Sequence, residues 1–102
     1  MRIYIASAYT RGDVAVNIHN VIKAADKLIE KGHIPYIPHL THFWHLVSPQ
    51  PYEFWLYIDK TIIEHWAEAV LRLPNVSTGA DDEVVLAKKL NLPVYYDVGE
   101  IE

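Results

Sequence analysis

The sequence predicts a small doubly wound parallel sheet of the α/β class, flavodoxin- or Rossmann-like, with about four or five strands flanked by helices. Three observations carry this expectation. Short runs rich in Ile, Val and Tyr alternate with longer stretches whose apolar residues follow the helical period. The chain opens strand–helix–strand with a long helix between, the crossover that parallel neighbours require. Each apolar run is closed by a turn or a proline before the next periodic stretch begins.

Arg2 to Ser7 alternates and is rich in Ile and Tyr, which makes a short buried strand. Ala8 to Gly12 breaks it. Asp13 then offers an N-cap for a helix whose apolar positions are Val14, Ile18, Val21, Ile22, Ala25, Leu28 and Ile29. Gly32 follows Lys31 where a C-terminal cap belongs. His33 to Ile37 reads as the second strand, ended by Pro38. Pro38 to Pro51, which holds Pro49, three histidines, Phe43 and Trp44, reads as an ordered loop with room for one helical turn. An apolar-aromatic loop of this kind is usually a wall of a site or a subunit contact. A second helix is expected from Tyr52 to about Trp66, with Phe54, Trp55, Ile58, Ile62, Ile63 and Trp66 on its buried side. Ala69 to Leu73 forms the third strand, ended by Pro74. Asn75 to Ala80 turns into a third helix carrying Val84, Val85, Ala87 and Leu90; Asn91 terminates it, and Leu92 to Tyr96 is the last strand.

Composition bounds the function. With 51% hydrophobic and 22% charged residues the chain can fill a core, and residues 1–102 are expected to form a single domain. Nine Lys+Arg against 13 Asp+Glu leave no basic face, so no nucleic acid polymer is expected as partner. The absence of cysteine excludes a disulfide framework, a zinc ribbon and thiol catalysis. The opening MRIYIASAYTRGD is too short and polar for a signal peptide, and no apolar run approaches the roughly 20 residues of a membrane span, so a cytoplasmic protein is expected.

In open parallel sheets ligands lie outside the carboxyl ends of the strands, at the switch in strand order. Those ends are Ser7 to Arg11, Pro38 to His45 and Pro74 to Gly79. Ser77 is positioned to cap the third helix, and Gly79 lets backbone approach a ligand, so the free N–H groups of that helix start form an anion site. The same residues also read as plain capping, with acidic side chains in the first turn. Glu83, one turn into the helix, is able to project beside the same pocket. Asp59 lies at the border of an apolar face, as a solvated edge residue or as a carboxylate turned to the ligand end. Together Glu83 and Asp59 are equipment for cleaving a glycosidic bond, one at the anomeric carbon and one handling the proton. Arg11 is the candidate cation for a phosphate, or a solvent-facing arginine.

His39, His42 and His45 fall at spacings that spread them around a regular helix, and no HExxH pattern is present. Hydrogen-bonded or pocket-lining histidines are therefore preferred to a metal site, and neither metal nor cofactor is expected. Trp44 beside them is a core or interface ring, or one that stacks on a base. No GxGxxG and no P-loop support dinucleotide chemistry or NTP hydrolysis.

The opening Ile3-Tyr4-Ile5-Ala6-Ser7-Ala8-Tyr9-Thr10-Arg11-Gly12, the Asp59 helix, the strand Ala67 to Leu73, and Ser77-Thr78-Gly79-Ala80-Asp81-Asp82-Glu83 together resemble the nucleoside 2-deoxyribosyltransferase-like superfamily. The likeness is to a small prokaryotic branch long filed as a domain of unknown function, similar to the hydrolases of 2′-deoxynucleoside 5′-phosphates. The Ser-x-Gly-x-x-x-Glu element is its most specific part. The resemblance implies that Glu83 attacks C1′ to give a glycosyl-enzyme, and that Asp59 handles the base's proton or holds the sugar. It also implies that Ser77, Gly79 and Arg11 bind a 5′-phosphate and that Tyr4 lies near the sugar. Ser7, His45 and Trp44 complete the expected substrate-binding set. The third strand of the superfamily usually opens Ala-Asp; here it opens Ala67-Glu68.

The leading expectation is an N-glycosidase that hydrolyses the base–sugar bond of a (deoxy)nucleoside 5′-monophosphate. The alternatives are a nucleoside 2-deoxyribosyltransferase, a non-catalytic nucleotide-sensing module, and a metal-binding protein built on the three histidines. The expected partners are a small nucleotide or nucleoside and a second copy of the chain: aromatics crowded between Phe43 and Trp66 exceed what so small a core hides, which predicts a homodimer or higher homo-oligomer.

Overall fold

A computed structural model describes residues 1–102. Its strands are β1 (Arg2–Ala6), β2 (Ile34–Tyr36), β3 (Ala69–Arg72) and β4 (Val94–Tyr95). Its helices are α1 (Val14–Glu30), α2 (Thr41–Val47), α3 (Tyr52–His65) and α4 (Thr78–Lys89). All strand pairs are parallel and the order is β2-β1-β3-β4, so the predicted doubly wound sheet is present with four strands. The chain steps one way from β1 to β2 and the other way to β3, which places the topological switch between β1 and β3.

Local chemistry explains the boundaries. The Asp13 carboxylate accepts the Val16 N–H and starts α1. At its other end Gly32, at φ +89°, lets the His33 N–H reach back to the Leu28 carbonyl at 2.9 Å, and the helix stops. Ser77 starts α4 in the same way, accepting the Ala80 N–H at 3.1 Å. The strands are one to three residues shorter than their apolar runs, because pairing stops where the chain turns away.

The sheet carries a different layer on each face. Ile3, Ile5, Ala69 and Leu71 pack with Val21, Ala24, Ala25 and Leu28 of α1 and with Ile101. Tyr4, Ala6 and Val70 point the other way, onto Ile63 of α3 and Ala80 and Ala87 of α4. The seam of α1 therefore runs through 21, 24, 25 and 28, and Ile22 and Ile29 of the predicted stripe lie at the exposed surface. Val85 and Leu90 of α4 are likewise exposed.

The segment after β2 is more helical than expected. Pro38–Leu40 forms a 3-10 turn that runs into α2. No residue of α2 is buried, so no core-facing period marks it in the sequence. Of the six apolar positions expected to be buried on α3, only Ile63 is fully so. The C-terminal half of α3 covers the sheet; the N-terminal half overhangs a cavity.

Candidate active site

The cavity, about 700 Å³, opens at the carboxyl ends of β1 and β3. Its floor is Tyr4 and Ser7 from β1 and the turn that follows it. One wall is the start of α4, from Ser77 to Glu83; the facing wall is α3 and α2, which bring Asp59, Trp55 and His45. Residues far apart in the chain meet here because the switch in strand order leaves a crevice that no crossover covers.

Tyr4 is fully buried, stacked on Tyr36 with ring centroids 5.7 Å apart, and its hydroxyl donates to Glu83 Oε2. Burial raises the Glu83 carboxyl to about 8, with nearby Asp59 adding to the shift; the Tyr4 hydrogen bond and Arg72 pull the other way by favouring the charged form. Burial raises Asp59 to about 7. Its Oδ1 is buried without a hydrogen-bond partner. Burial, then the charges of Glu83 and Asp59, hold the Tyr4 phenol well above its ordinary range, so it stays a donor. Two carboxyls whose protonation is divided near neutral pH thus share a pocket with a phenol that stays protonated.

The other end of the cavity suits an anion. Ser77 caps Ala80, and the N–H groups of Thr78 and Gly79, in the first turn of α4, have no helical acceptor. A Cβ built on Gly79 would meet nothing within 4 Å. Packing does not call for glycine there; the bare backbone leaves room for a ligand. Arg11, exposed at the mouth, has no carboxylate partner.

Ser7 lines the cavity, but its Oγ accepts the Asn75 Nδ2–H at 2.7 Å, so it holds the loop. His45 lines the cavity and bonds Trp55. Trp44 does not reach it: half-exposed, the ring packs edge-on to Trp55 and Phe54 with centroids 5.0 and 5.9 Å away, behind the wall. The three histidines are dispersed among separate tasks. His39 is buried with Nε2 donating to the Ala8 carbonyl at 2.9 Å, and His42 packs on Tyr9. No group of three His, Asp or Glu side chains is placed to hold a metal. Glu68 sits at the opposite end of the sheet, where it accepts the Arg2 N–H at 2.9 Å and plays no part in the cavity.

Sequence reasoning missed a strut. Arg72, 7% exposed, donates to the Leu73 carbonyl, to Asn75 Oδ1 and carbonyl at 2.9 Å, and to Asp81 Oδ1 at 3.1 Å. Asn75 Oδ1 also accepts the Ala8 N–H at 3.0 Å. The pair clips the end of β1 to the turn before α4. The signal was a lone charge ending the strand Ala-Val-Leu-Arg, since a charge in a buried parallel strand has to be paired.

A family model described as a domain of unknown function (DUF7768) matches residues 1–97. No curated protein matches the chain. Among solved structures, a 2-deoxyribosyltransferase from the psychrotolerant bacterium Bacillus psychrosaccharolyticus is similar, with a TM-score of 0.71 and 22% identity over 92% of this chain and 69% of that one. At that identity the likeness is one of fold.

Proposed function

The chain belongs to the DUF7768 family, and from its cavity we propose that it is an N-glycosidase releasing the base from a (deoxy)nucleoside 5′-monophosphate. The observation that carries this reading is one cavity lined by two partly buried carboxyls, Glu83 and Asp59, and also by Arg11 and the open start of α4. A phosphate held at that end fixes the sugar and supplies binding energy remote from the reacting bond.

In the first step the free oxygen of the Glu83 carboxylate bonds to C1′ as the C1′–N bond breaks. The electron pair leaves with the base, which takes a proton from the Asp59 carboxyl. In the second, the Asp59 carboxylate takes a proton from water; the water oxygen bonds to C1′ and Glu83 departs with its pair. Water and nucleotide become free base and sugar 5-phosphate. Tyr4 orients Glu83 by occupying Oε2. The competent form has Glu83 ionised and Asp59 protonated, the less populated placement of the one proton the two carboxyls share between about 7 and 8, so kcat/KM should be bell-shaped with its shoulders in that region. Asp59→Asn should abolish the alkaline limb and leave a single acid limb set by Glu83, because a neutral amide then stands where the competent form has a protonated carboxyl.

The fold of the Bacillus transferase favours a second reading, in which an acceptor base replaces water in the second step. Incubation with a panel of ribo- and deoxyribonucleoside monophosphates, following free base by chromatography, separates the two. Release without an added base, lost in Glu83→Ala, supports the glycosidase; strict dependence on an acceptor base supports transfer. Tight binding with neither would leave a sensing module.

A further inference from the structure

One ring on the cavity wall has its chemistry fixed by its neighbours. His45 Nδ1 accepts the Trp55 indole N–H at 2.9 Å and the Gln50 backbone N–H at 3.2 Å. Both partners are donors only, so Nδ1 presents a lone pair and the ring proton sits on Nε2. Gln50 stands between Pro49 and Pro51, whose rings restrict the backbone and keep its N–H aimed at the imidazole. His45 Nε2 has no partner within the chain and is not among the buried unpartnered atoms, and the residue lines the cavity.

With a phosphate at the α4 end and the sugar at Glu83 and Asp59, the base is left the α2–α3 wall, where His45, Gln50 and Trp55 stand. Resting on the glycosidase reading, we propose that His45 selects the base: its Nε2–H is a donor of fixed sense that admits a carbonyl oxygen at the base's far edge and rejects an amino group there. An exocyclic oxygen projects beyond the ring, so it meets a donor on the wall first. An exocyclic amino group at the same point sets N–H against N–H and leaves both without an acceptor. The substrate class is thus the oxo-base nucleotides, 6-oxopurine or 4-oxopyrimidine.

The test compares pairs that differ only at that group: deoxyinosine with deoxyadenosine monophosphate, and deoxyuridine with deoxycytidine monophosphate. Affinity is measured by calorimetry and base release by chromatography, in wild type and His45→Ala. The oxo member of each pair is expected to bind or turn over better by on the order of tenfold or more. His45→Ala should bring the ratio close to one while leaving the affinity for inorganic phosphate unchanged. Nitrogen-15 spectra of the wild type should show His45 with its proton on Nε2, and Trp55→Phe should loosen that assignment. Preference for the amino member, a ratio untouched by His45→Ala, or a proton on Nδ1 would overturn the inference while leaving the glycosidase reading intact. Binding of none of the four nucleotides would overturn both.

Discussion

The two faces of the sheet are made by alternate residues of the same strands, and they are built to different ends. Toward α1, β1 sends Ile3 and Ile5 into a layer whose fully buried residues are all aliphatic. Toward α3 and α4 the same strand sends Tyr4 and Ala6, and β3 sends Val70 and Arg72. One face gains by excluding water from hydrocarbon. The other holds a phenol, two carboxyls and a guanidinium away from water, which costs stability and leaves the two carboxyls poised near neutrality. The strand's alternation lets one short segment do both.

The sharpest way to break that contrast is to exchange the damage. Glu83→Gln is expected to lower turnover by about a thousandfold or more with the fold intact, since it removes the nucleophile and keeps the shape. Ile5→Ala, one strand position from Tyr4, should cost about 2–5 kcal/mol of unfolding free energy and leave kcat of the folded fraction near wild type. Denaturant unfolding beside steady-state kinetics reads both; equal loss of stability in the two variants would dissolve the distinction.

A second prediction follows from the carboxyls. Asp59 and Glu83 are raised by burial to about 7 and about 8, so the folded chain holds protons that the unfolded chain has released. Their contribution to stability is full below the ordinary carboxylate range and is lost as pH rises through those values. Melting temperature should therefore fall between pH 5.5 and 8.5 in the wild type. The Asp59→Asn, Glu83→Gln double variant should fall less and be the more stable protein at pH 8.5. A milder change sharpens the anion end: Gly79→Ala places a methyl where the structure has open space, so it should fold normally and raise KM for a nucleotide by about tenfold.

The smallest expected effect concerns α2. Its exposed Phe43, Leu46 and Val47, the last 87% exposed, form an apolar surface that we propose a second copy covers. Sedimentation at micromolar concentration should give a dimer that Phe43→Ser weakens; a clean monomer would refute it.

What the sequence disclosed follows the same division. Elements whose residues enter the core announce themselves by period and cap: β1, α1 with Asp13 and Gly32, β3, and α4 with Ser77. Glu83 stood out through the Ser-x-Gly-x-x-x-Glu element that carries the resemblance; helix geometry alone left it an acid near a capped helix start or a pocket carboxylate. Asp59 stayed ambiguous, since periodicity marks it as an edge residue and cannot tell that half of α3 overhangs a cavity. The Arg72–Asn75 strut was hidden because its hydrogen bonds join segments that come together only in the folded chain. Trp44 drew attention by its type, yet the ring stands behind the wall it was expected to face.

The absence of any buried residue in α2 bears on how such a protein can diversify. The seven residues from Thr41 to Val47 support no strand and no core layer, so substitution there is tolerated by the scaffold while altering whatever the cavity admits. On the proposed role of His45, selectivity and foldability are written in separate stretches of one short chain, and the first can be rewritten, by drift or by an engineer's helix swap, without renegotiating the second.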